Sequence, residues 1–224
     1  MGQTPHDKLA HRETLGQGRI QDTLRALALR HGIWIVGGTI PLVVPAVPNK
    51  VYAACMVFNA QGDRVAEYNK IHLFDVDLPL HQEYHRESET IAPGSQITVV
   101  ATPVGKLGLA ICYDLRFPEL FRSLQAAGAE IIALPAAFTV PTGLAHWEIL
   151  LRARAIENQV YLLAAAQTGT HPNLRKTYGH SMLVDPWGKI VTQLAEETGV
   201  LTGDIDLHYL QKLRMEFPVL QHRK

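Results

Sequence analysis

A cysteine that follows an apolar segment is the first residue of this chain that could carry out chemistry. Residues 106–112 (KLGLAIC) predict a buried strand that ends at Cys112, and a helix is predicted from Phe117. A thiol at such a turn lies near backbone N–H groups and a helix N-terminus, which favour a thiolate and can bind an oxyanion. The same position suits a small buried hydrophobic residue, which is the usual role of a free cysteine. Both interpretations of Cys112 are open at this point.

A cysteine nucleophile needs a general base. The histidine candidates, which local sequence does not rank, are His72, His81, His85, His146 and His180. Cys55 lies in the middle of a predicted strand, AACMVF, where a core role is favoured. The chain has no CxxC pair and no HExxH, GxGxxG, P-loop or GxSxG motif, so we predict no metal, no cofactor and no serine nucleophile.

The composition is that of a compact folded protein. Hydrophobic residues make up 47% of the 224 residues and charged residues 19%, and 21 basic side chains balance 21 acidic ones. This balance predicts neither a nucleic-acid nor an anionic-membrane partner, and no apolar run is long enough for a membrane-spanning helix. Two cysteines make no disulfide framework, so we expect a reducing compartment, the cytoplasm.

The elements that must position these residues alternate between strand and helix patterns. Apolar strands between amphipathic helices predict an α/β fold with a sheet covered on both faces. A long irregular polar loop is predicted over 71–95. The predicted helices are 20–31, 117–127, 145–158 and 208–216; the predicted strands are 33–40, 51–58, 64–68, 97–101, 106–112, 131–135, 160–166, 181–184, 189–193 and 201–205.

Several segments in one order resemble the nitrilase (carbon–nitrogen hydrolase) superfamily. ICYDLRFPEL at 111–120 is similar to its nucleophile segment and YNKIHLFD at 68–75 to its lysine segment. RESETIAPGS at 86–95 resembles the segment that holds a second glutamate. FTVPTGLAHWEILLRARAIENQVYLLAAAQTG at 138–169 and YGHSMLVDPWG at 178–188 resemble the Nit1-like branch, amidases that act on deaminated glutathione.

This resemblance implies a four-layer αββα sandwich and hydrolysis of a small-molecule amide through a cysteine thioester. It makes Cys112 the nucleophile, and it makes Lys70 and the backbone N–H of Tyr113 the groups that stabilise the oxyanion. Glu87 becomes the supporting carboxylate that orients Lys70 or the substrate. The further substrate-binding candidates are Thr139, His146 and Trp147. The resemblance also implies a homodimer or a higher homo-oligomer.

The chain departs from the family pattern at its start. The family's general base is a glutamate in a leucine-proline-glutamate motif, and that motif and the first strand-helix-strand unit are missing from this sequence. We expect residues 1–224 to be one carbon–nitrogen hydrolase domain that is incomplete at its N-terminus, and we hypothesise a longer native product. The alternatives are an ω-amidase acting on 2-oxoglutaramate-type amides, or an inactive member that acts by binding.

Other charged residues have two interpretations each. Asp114 and Arg116 could form an ion pair that holds the turn, or could contact substrate. Arg154 and Glu157 are spaced to pair across one helical turn, which favours a structural role. Three residues of a polar loop could meet a substrate carboxylate, Arg175, Lys176 and Tyr178. Three glutamates are not expected to replace the missing base, Glu13, Glu83 and Glu119.

Overall fold

The computed structural model describes residues 4, 6–45, 47–79 and 83–224. Met1 and the candidate base His81 lie outside the described residues. The chain divides into two compact units. The first consists of Met1–Thr98 with His171–Leu174, and the second of Val99–Thr170 with Arg175–Lys224.

The first unit is built on a three-stranded antiparallel sheet of order β1-β2-β3, and β4 pairs with β5 in a separate hairpin. Helix α2 packs on the sheet through Leu24 and Ala28, against a core that includes Ile40, Met56 and Phe58. The elements of this unit are α1 (Asp7–Ala10), α2 (Arg19–His31), β1 (Ile35–Val43), β2 (Val51–Phe58), β3 (Arg64–Asn69), β4 (Asp75–Leu78) and β5 (Glu83–Arg86).

The second unit is built on a six-stranded sheet of order β13-β12-β9-β8-β7-β6, and β10 pairs with β11 separately. The three central strands, β7 to β9, are parallel, and helices connect them. The elements are β6 (Val99–Thr102), β7 (Gly105–Leu109), α3 (Pro118–Ala126), β8 (Ile131–Ala136), α4 (Val140–Asn158), β9 (Tyr161–Ala166), β10 (Thr168–Thr170), β11 (Lys176–Tyr178), β12 (Met182–Val184), β13 (Ile190–Gln193) and α5 (Leu207–Glu216).

The parallel strands decide where chemistry can occur in the second unit. The carboxyl ends of parallel strands meet at one edge of a sheet, where the loops that follow them carry functional groups. Cys112 follows β7, and Phe138 follows β8. Both therefore lie at this edge, which we call the carboxyl edge.

Four sequence-based predictions of local structure were wrong. Residues 71–95 are not irregular throughout, because β4, β5 and a short 3-10 helix at Glu87–Glu89 lie within them. The predicted strand 201–205 is not a strand. Strand β7 ends at Leu109, three residues before Cys112. Helix α4 begins at Val140, five residues before the predicted start, because Thr139 caps it and a proline occupies its first turn.

Candidate active site

Cys112 opens a sharp turn at the carboxyl edge of the second unit. It is the first residue of a 3-10 helix, Cys112–Arg116, and its φ of 49° is uncommon for a residue other than glycine. The Asp114 carboxylate accepts the Ile111 N–H (2.8 Å), and the Asp114 N–H donates to the Ile111 carbonyl (3.0 Å). Asp114 is fully buried. These two hydrogen bonds fix the backbone of the turn and therefore the position of the Cys112 side chain.

The two cysteines differ in accessibility. Cys112 is half-buried, whereas Cys55 is fully buried in β2. Burial raises the pKa of the Cys55 thiol from 9.0 to about 12. A neutral, inaccessible thiol is a poor nucleophile, so the structure agrees with a core role for Cys55.

Helix α4 contacts the Cys112 turn through a hydrogen bond from Arg154. The buried Arg154 donates from Nε to the Leu115 carbonyl (3.0 Å), and its Nη1 pairs with the Glu157 carboxylate (3.0 Å). A buried guanidinium needs such partners, because an unpaired buried charge is costly. The predicted Arg154–Glu157 pair is therefore present, and its role is structural.

Arg116, the last residue of the turn, is half-buried. Its Nη1 lies 3.3 Å from His146 Nδ1, and its guanidinium lies 5.3 Å from the centre of the Phe138 ring. Burial lowers the pKa of Arg116, while negative charge on Tyr113 and Cys112 acts in the opposite direction. The polar contact of Arg116 is therefore with His146, and the alternative of an Asp114–Arg116 ion pair is not observed among the described residues.

Lys70 lies in the first unit, directly after β3. Its N–H donates to the Ala53 carbonyl (3.0 Å), and its carbonyl accepts the Gly94 N–H (2.8 Å). The side chain is 3% exposed, and Nζ forms an ion pair with Glu87 Oε2. The contact brings the two predicted residues together, and the role of Glu87 in orienting Lys70 for catalysis stays a prediction.

Glu87 is itself held from two sides. Its Oε2 also accepts the Phe74 N–H (2.7 Å), and its N–H donates to the Phe74 carbonyl (3.3 Å). The adjacent Ser88 N–H donates to the Asp75 carboxylate (2.9 Å). Partial burial would raise the pKa of Asp75, but the hydrogen bonds from Ser88 prevail and lower it. The Lys70 ammonium is thus fixed by a carboxylate that cannot move freely.

The predicted substrate-binding residues occupy different environments. Thr139 is buried at the start of α4, where Oγ1 accepts the Thr142 N–H (3.5 Å). Trp147 is buried against Phe138, with ring centres 4.8 Å apart, and donates from Nε1 to the His180 carbonyl (2.8 Å). Both side chains stabilise the second unit, and their contact with substrate stays a prediction.

His146 and Tyr113 lie beside or within the Cys112 turn. His146 is exposed on α4 beside Arg116. Tyr113 directly follows Cys112, and its ring packs edge-on against Phe117, with centres 5.3 Å apart. Phe138 was not among the predicted site residues. It follows β8 at the carboxyl edge, where Cys112 follows β7, and this position in the strand order could have marked it as a residue near Cys112.

Three of the other candidate acids and bases have structural partners, namely His85, His180 and Glu13. His85 Nε2 lies 3.3 Å from a Glu83 oxygen, and His180 Nδ1 lies 2.8 Å from the Tyr178 carbonyl. Glu13 is buried, and its carboxylate accepts hydrogen bonds from the Ile20 and Gln21 backbone N–H groups. Glu13 is therefore not available as a general base, in agreement with the sequence analysis.

The described residues contain no group of three or more His, Cys, Asp or Glu side chains arranged to hold a metal ion. None of their helices is both long enough and apolar enough to cross a membrane.

Comparison with known proteins places the chain among enzymes that cleave carbon–nitrogen bonds. The family model described as carbon-nitrogen hydrolase matches residues 4–215. A protein of Yersinia enterocolitica named deaminated glutathione amidase is 50% identical over 215 residues, which are 96% of this chain and 75% of the relative.

Two solved structures are similar in fold. The crystal structure of the Caenorhabditis elegans NitFhit protein matches with a TM-score of 0.85 and 46% identity, over 91% of this chain and 50% of that one. An amidase mutant from Nesterenkonia sp. AN1, which shows a Michael addition of acrylamide at its active-site cysteine, matches with a TM-score of 0.76 and 28% identity. It covers 97% of this chain and 81% of that one. These matches confirm the predicted α/β class.

Proposed function

Because the chain belongs to the carbon–nitrogen hydrolase family, we propose that it hydrolyses the amide bond between the 2-oxoglutaryl group and the cysteinylglycine of deaminated glutathione. The substrate is suggested by the name of the Yersinia relative. That protein is 50% identical to this chain over 96% of its length. The observation that carries the mechanism is the position of Cys112, half-buried at a fixed turn on the carboxyl edge.

We assign the chemical steps to three side chains. Cys112 gives up its thiol proton as the sulfur attacks the amide carbonyl, and that proton passes to the amine of cysteinylglycine as the C–N bond breaks. Water then attacks the thioester carbonyl; its hydroxyl becomes part of the free acid, and its other proton returns to the sulfur as the C–S bond breaks. Lys70 and the Tyr113 N–H stabilise the negative oxygen of each tetrahedral intermediate. Glu87 keeps the Lys70 ammonium in place through their ion pair. No metal or cofactor takes part in this scheme.

The experiment compares two amides and two proteins. The unsubstituted chain and Cys112→Ala are incubated with deaminated glutathione, and the release of cysteinylglycine is measured; ammonia release from 2-oxoglutaramate is measured in parallel. Cysteinylglycine release by the unsubstituted chain alone supports the proposal. A higher kcat/KM on 2-oxoglutaramate would make the protein an ω-amidase instead. No turnover of either amide would favour an inactive, ligand-binding member of the family.

Three broader assignments belong to the same proposal. We propose that residues 1–224 make up one carbon–nitrogen hydrolase domain, since the family match runs through both units. We propose a cytoplasmic location, because a chain with two cysteines has too few for a disulfide framework. We also propose a homodimer, for which the exposed apolar side chains of α4 are the support.

A further inference from the structure

The Glu157 carboxylate, near the end of α4, lies between two arginines. Its Oε1 pairs with Arg154 Nη1 (3.0 Å) on the same helix, and its Oε2 pairs with Arg122 Nη2 (3.3 Å) on α3. Arg122 also donates from Nη1 to the Glu157 carbonyl. The Asn158 side-chain amide donates to the same Oε1 (3.5 Å) and to the Arg154 carbonyl (2.9 Å). One carboxylate therefore joins α3 to α4.

Both arginines are connected to the Cys112 turn. Arg154 donates from Nε to the carbonyl of Leu115, which is the fourth residue of the 3-10 helix that Cys112 opens (3.0 Å). Arg122 lies in α3, which begins after one further residue of the chain. Glu157 thus holds the side chain that binds the turn, and it also holds the helix that continues from the turn.

The buried Arg154 depends on this carboxylate. Its side chain is 8% exposed, and its guanidinium lies 5.7 Å from the centre of the Phe121 ring. Removing one member of a buried ion pair is strongly destabilising, because the other charge is left without compensation in a medium of low polarity. Loss of the Glu157 charge would therefore leave Arg154 as a buried cation that gives up the Leu115 carbonyl for other partners.

We infer that Glu157 is a positioning residue, which acts through Arg154 to fix the backbone of the turn that carries Cys112. Its action on the sulfur is indirect, since it passes from the carboxylate to the guanidinium and then to the Leu115 carbonyl. A reacting group displaced by about 1 Å can lose about 10²-fold in rate. This effect on the rate rests on the proposed function, whereas the effect on the turn does not.

The first test separates positioning from binding by steady-state kinetics. Glu157→Gln keeps the size of the side chain and removes its charge. We expect it to lower kcat on deaminated glutathione by about 10- to 100-fold, with KM changed by less than about threefold. The reason is that a misplaced sulfur slows the chemical step, while the groups that bind the substrate are unchanged. A kcat within twofold of the original value would overturn the inference.

A double variant tests whether the effect passes through Arg154. In Arg154→Met combined with Glu157→Gln, no buried charge is left unpaired, so the free energy of unfolding in urea should recover relative to Glu157→Gln alone. The hydrogen bond to the Leu115 carbonyl is absent from this protein, so its kcat should stay low. If kcat recovers together with stability, Glu157 acts on stability alone and the inference is overturned.

Glu148→Gln is the matched control. Glu148 lies on the same helix and pairs with Arg152 (3.2 Å), but both of these side chains are about half exposed. Exposed ion pairs contribute little to stability, so the same change of charge and size should leave kcat within about twofold. A loss of kcat equal to that of Glu157→Gln would assign the effect to the charge of α4 as a whole and overturn the inference.

Hydrogen exchange measured by mass spectrometry tests the turn without turnover. The Asp114 and Phe117 N–H groups donate within it (3.0 Å each), so peptides that cover 111–117 report on its opening. We expect Glu157→Gln to speed exchange there by about tenfold or more, and to leave β8 unchanged. An equal increase in β8 would indicate general destabilisation and overturn the inference. If no amide is hydrolysed but faster exchange is confined to the turn, the proposed function fails and Glu157 still positions the turn.

Discussion

At the scale of single residues, the Lys70–Glu87 ion pair is the arrangement that most constrains the chemistry. The Lys70 side chain is 3% exposed, and its ammonium contacts a carboxylate that also accepts the Phe74 N–H. A positive charge held in this way costs little reorganisation when an oxyanion forms. A lysine serving only as an edge residue in solvent would not need to be buried.

We therefore expect Lys70→Met to lower kcat on deaminated glutathione by about 10²- to 10³-fold, the usual cost of removing one oxyanion donor. Steady-state kinetics measure this, with circular dichroism to check the fold. The control is Lys212→Met, which removes an exposed lysine of α5 that pairs with the exposed Glu216 (3.7 Å). A Lys70→Met protein with more than a third of the original kcat would exclude Lys70 from the reaction.

The buried Cys55 thiol predicts how stability depends on pH. Its pKa is raised from 9.0 to about 12 in the folded chain, so above pH 9 the unfolded chain loses a proton that the folded chain keeps. Folding stability contributed by this group is complete below pH 9 and is lost as the pH rises toward 12, by about 1.4 kcal/mol per pH unit.

Urea unfolding at pH 8 and at pH 10.5 measures this effect in the original chain and in Cys55→Ala. Cys55→Ala should make the loss of stability between the two pH values smaller. It should also lower the stability at pH 8, because it leaves a cavity in the core. The other groups that titrate at alkaline pH are the same in both proteins. If the free energy of unfolding falls equally in both between pH 8 and pH 10.5, the pKa of Cys55 is not the cause.

At the scale of elements, the start of α2 explains why Glu13 is buried. Gly18 precedes the helix and has no side chain to cap it. The Glu13 carboxylate takes that role by accepting the Ile20 N–H (2.5 Å) and the Gln21 N–H (3.1 Å). A negative charge at a helix N-terminus is favourable, and these N–H groups lack partners within the helix.

We expect Glu13→Ala to destabilise the protein by about 1–3 kcal/mol, since it removes the cap and leaves the N–H of the buried Gln21 unsatisfied. The urea midpoint measures the loss. Gly18→Ala should be destabilising as well, because an added Cβ would lie 2.2 Å from Glu13 Cδ and Gly18 has a φ of 148°. Asp22→Ala, at an exposed position of the same helix, is the control. A stable Glu13→Ala protein with an unchanged midpoint would contradict the capping role.

Elements specified by local sequence were predicted, and those that depend on distant partners were missed. Helix α2 ends at Gly32, whose φ of 62° suits glycine, and the turn between β2 and β3 is closed by the Asn59 side chain, so both were found from sequence. Strands β10 and β11 have three residues each, too few for a periodic pattern. The predicted strand 201–205 has apolar residues, but it pairs with no strand in the part of the chain that the structure describes.

The candidate site was predicted through resemblance more than through local pattern. From its position after a strand, Cys112 was as well suited to a core role as to that of a nucleophile, and only the resemblance to the family motifs favoured the nucleophile. The burial of Lys70 could not be predicted from sequence, because it results from contacts with Gly94 and Glu87 far along the chain. The partners of Arg116 likewise depend on the distant α4 and on the loop that follows β8.

At the scale of the whole molecule, the feature of interest is a group of three exposed apolar side chains on α4. Leu144 is 75% exposed, Ile149 70% and Ile156 47%, while Trp147 and Leu151 of the same helix are buried. Apolar residues on both sides of a helix indicate that it is covered on both sides. A second copy of the chain is the partner that the proposed homodimer supplies.

We expect Ile149→Asp to weaken that dimer by about 10²-fold or more, because an unpaired carboxylate would have to be desolvated in an apolar contact. Light scattering during gel filtration, over a series of protein concentrations, measures the mass directly. Val200→Asp is the control, since Val200 is an 88% exposed apolar residue that lies outside α4. The unsubstituted chain and this control should have the mass of two chains at concentrations where Ile149→Asp has the mass of one. If Ile149→Asp keeps the mass of two chains, α4 is not the interface. If the unsubstituted chain has the mass of one, the exposed apolar residues of α4 do not bind a second copy of this chain.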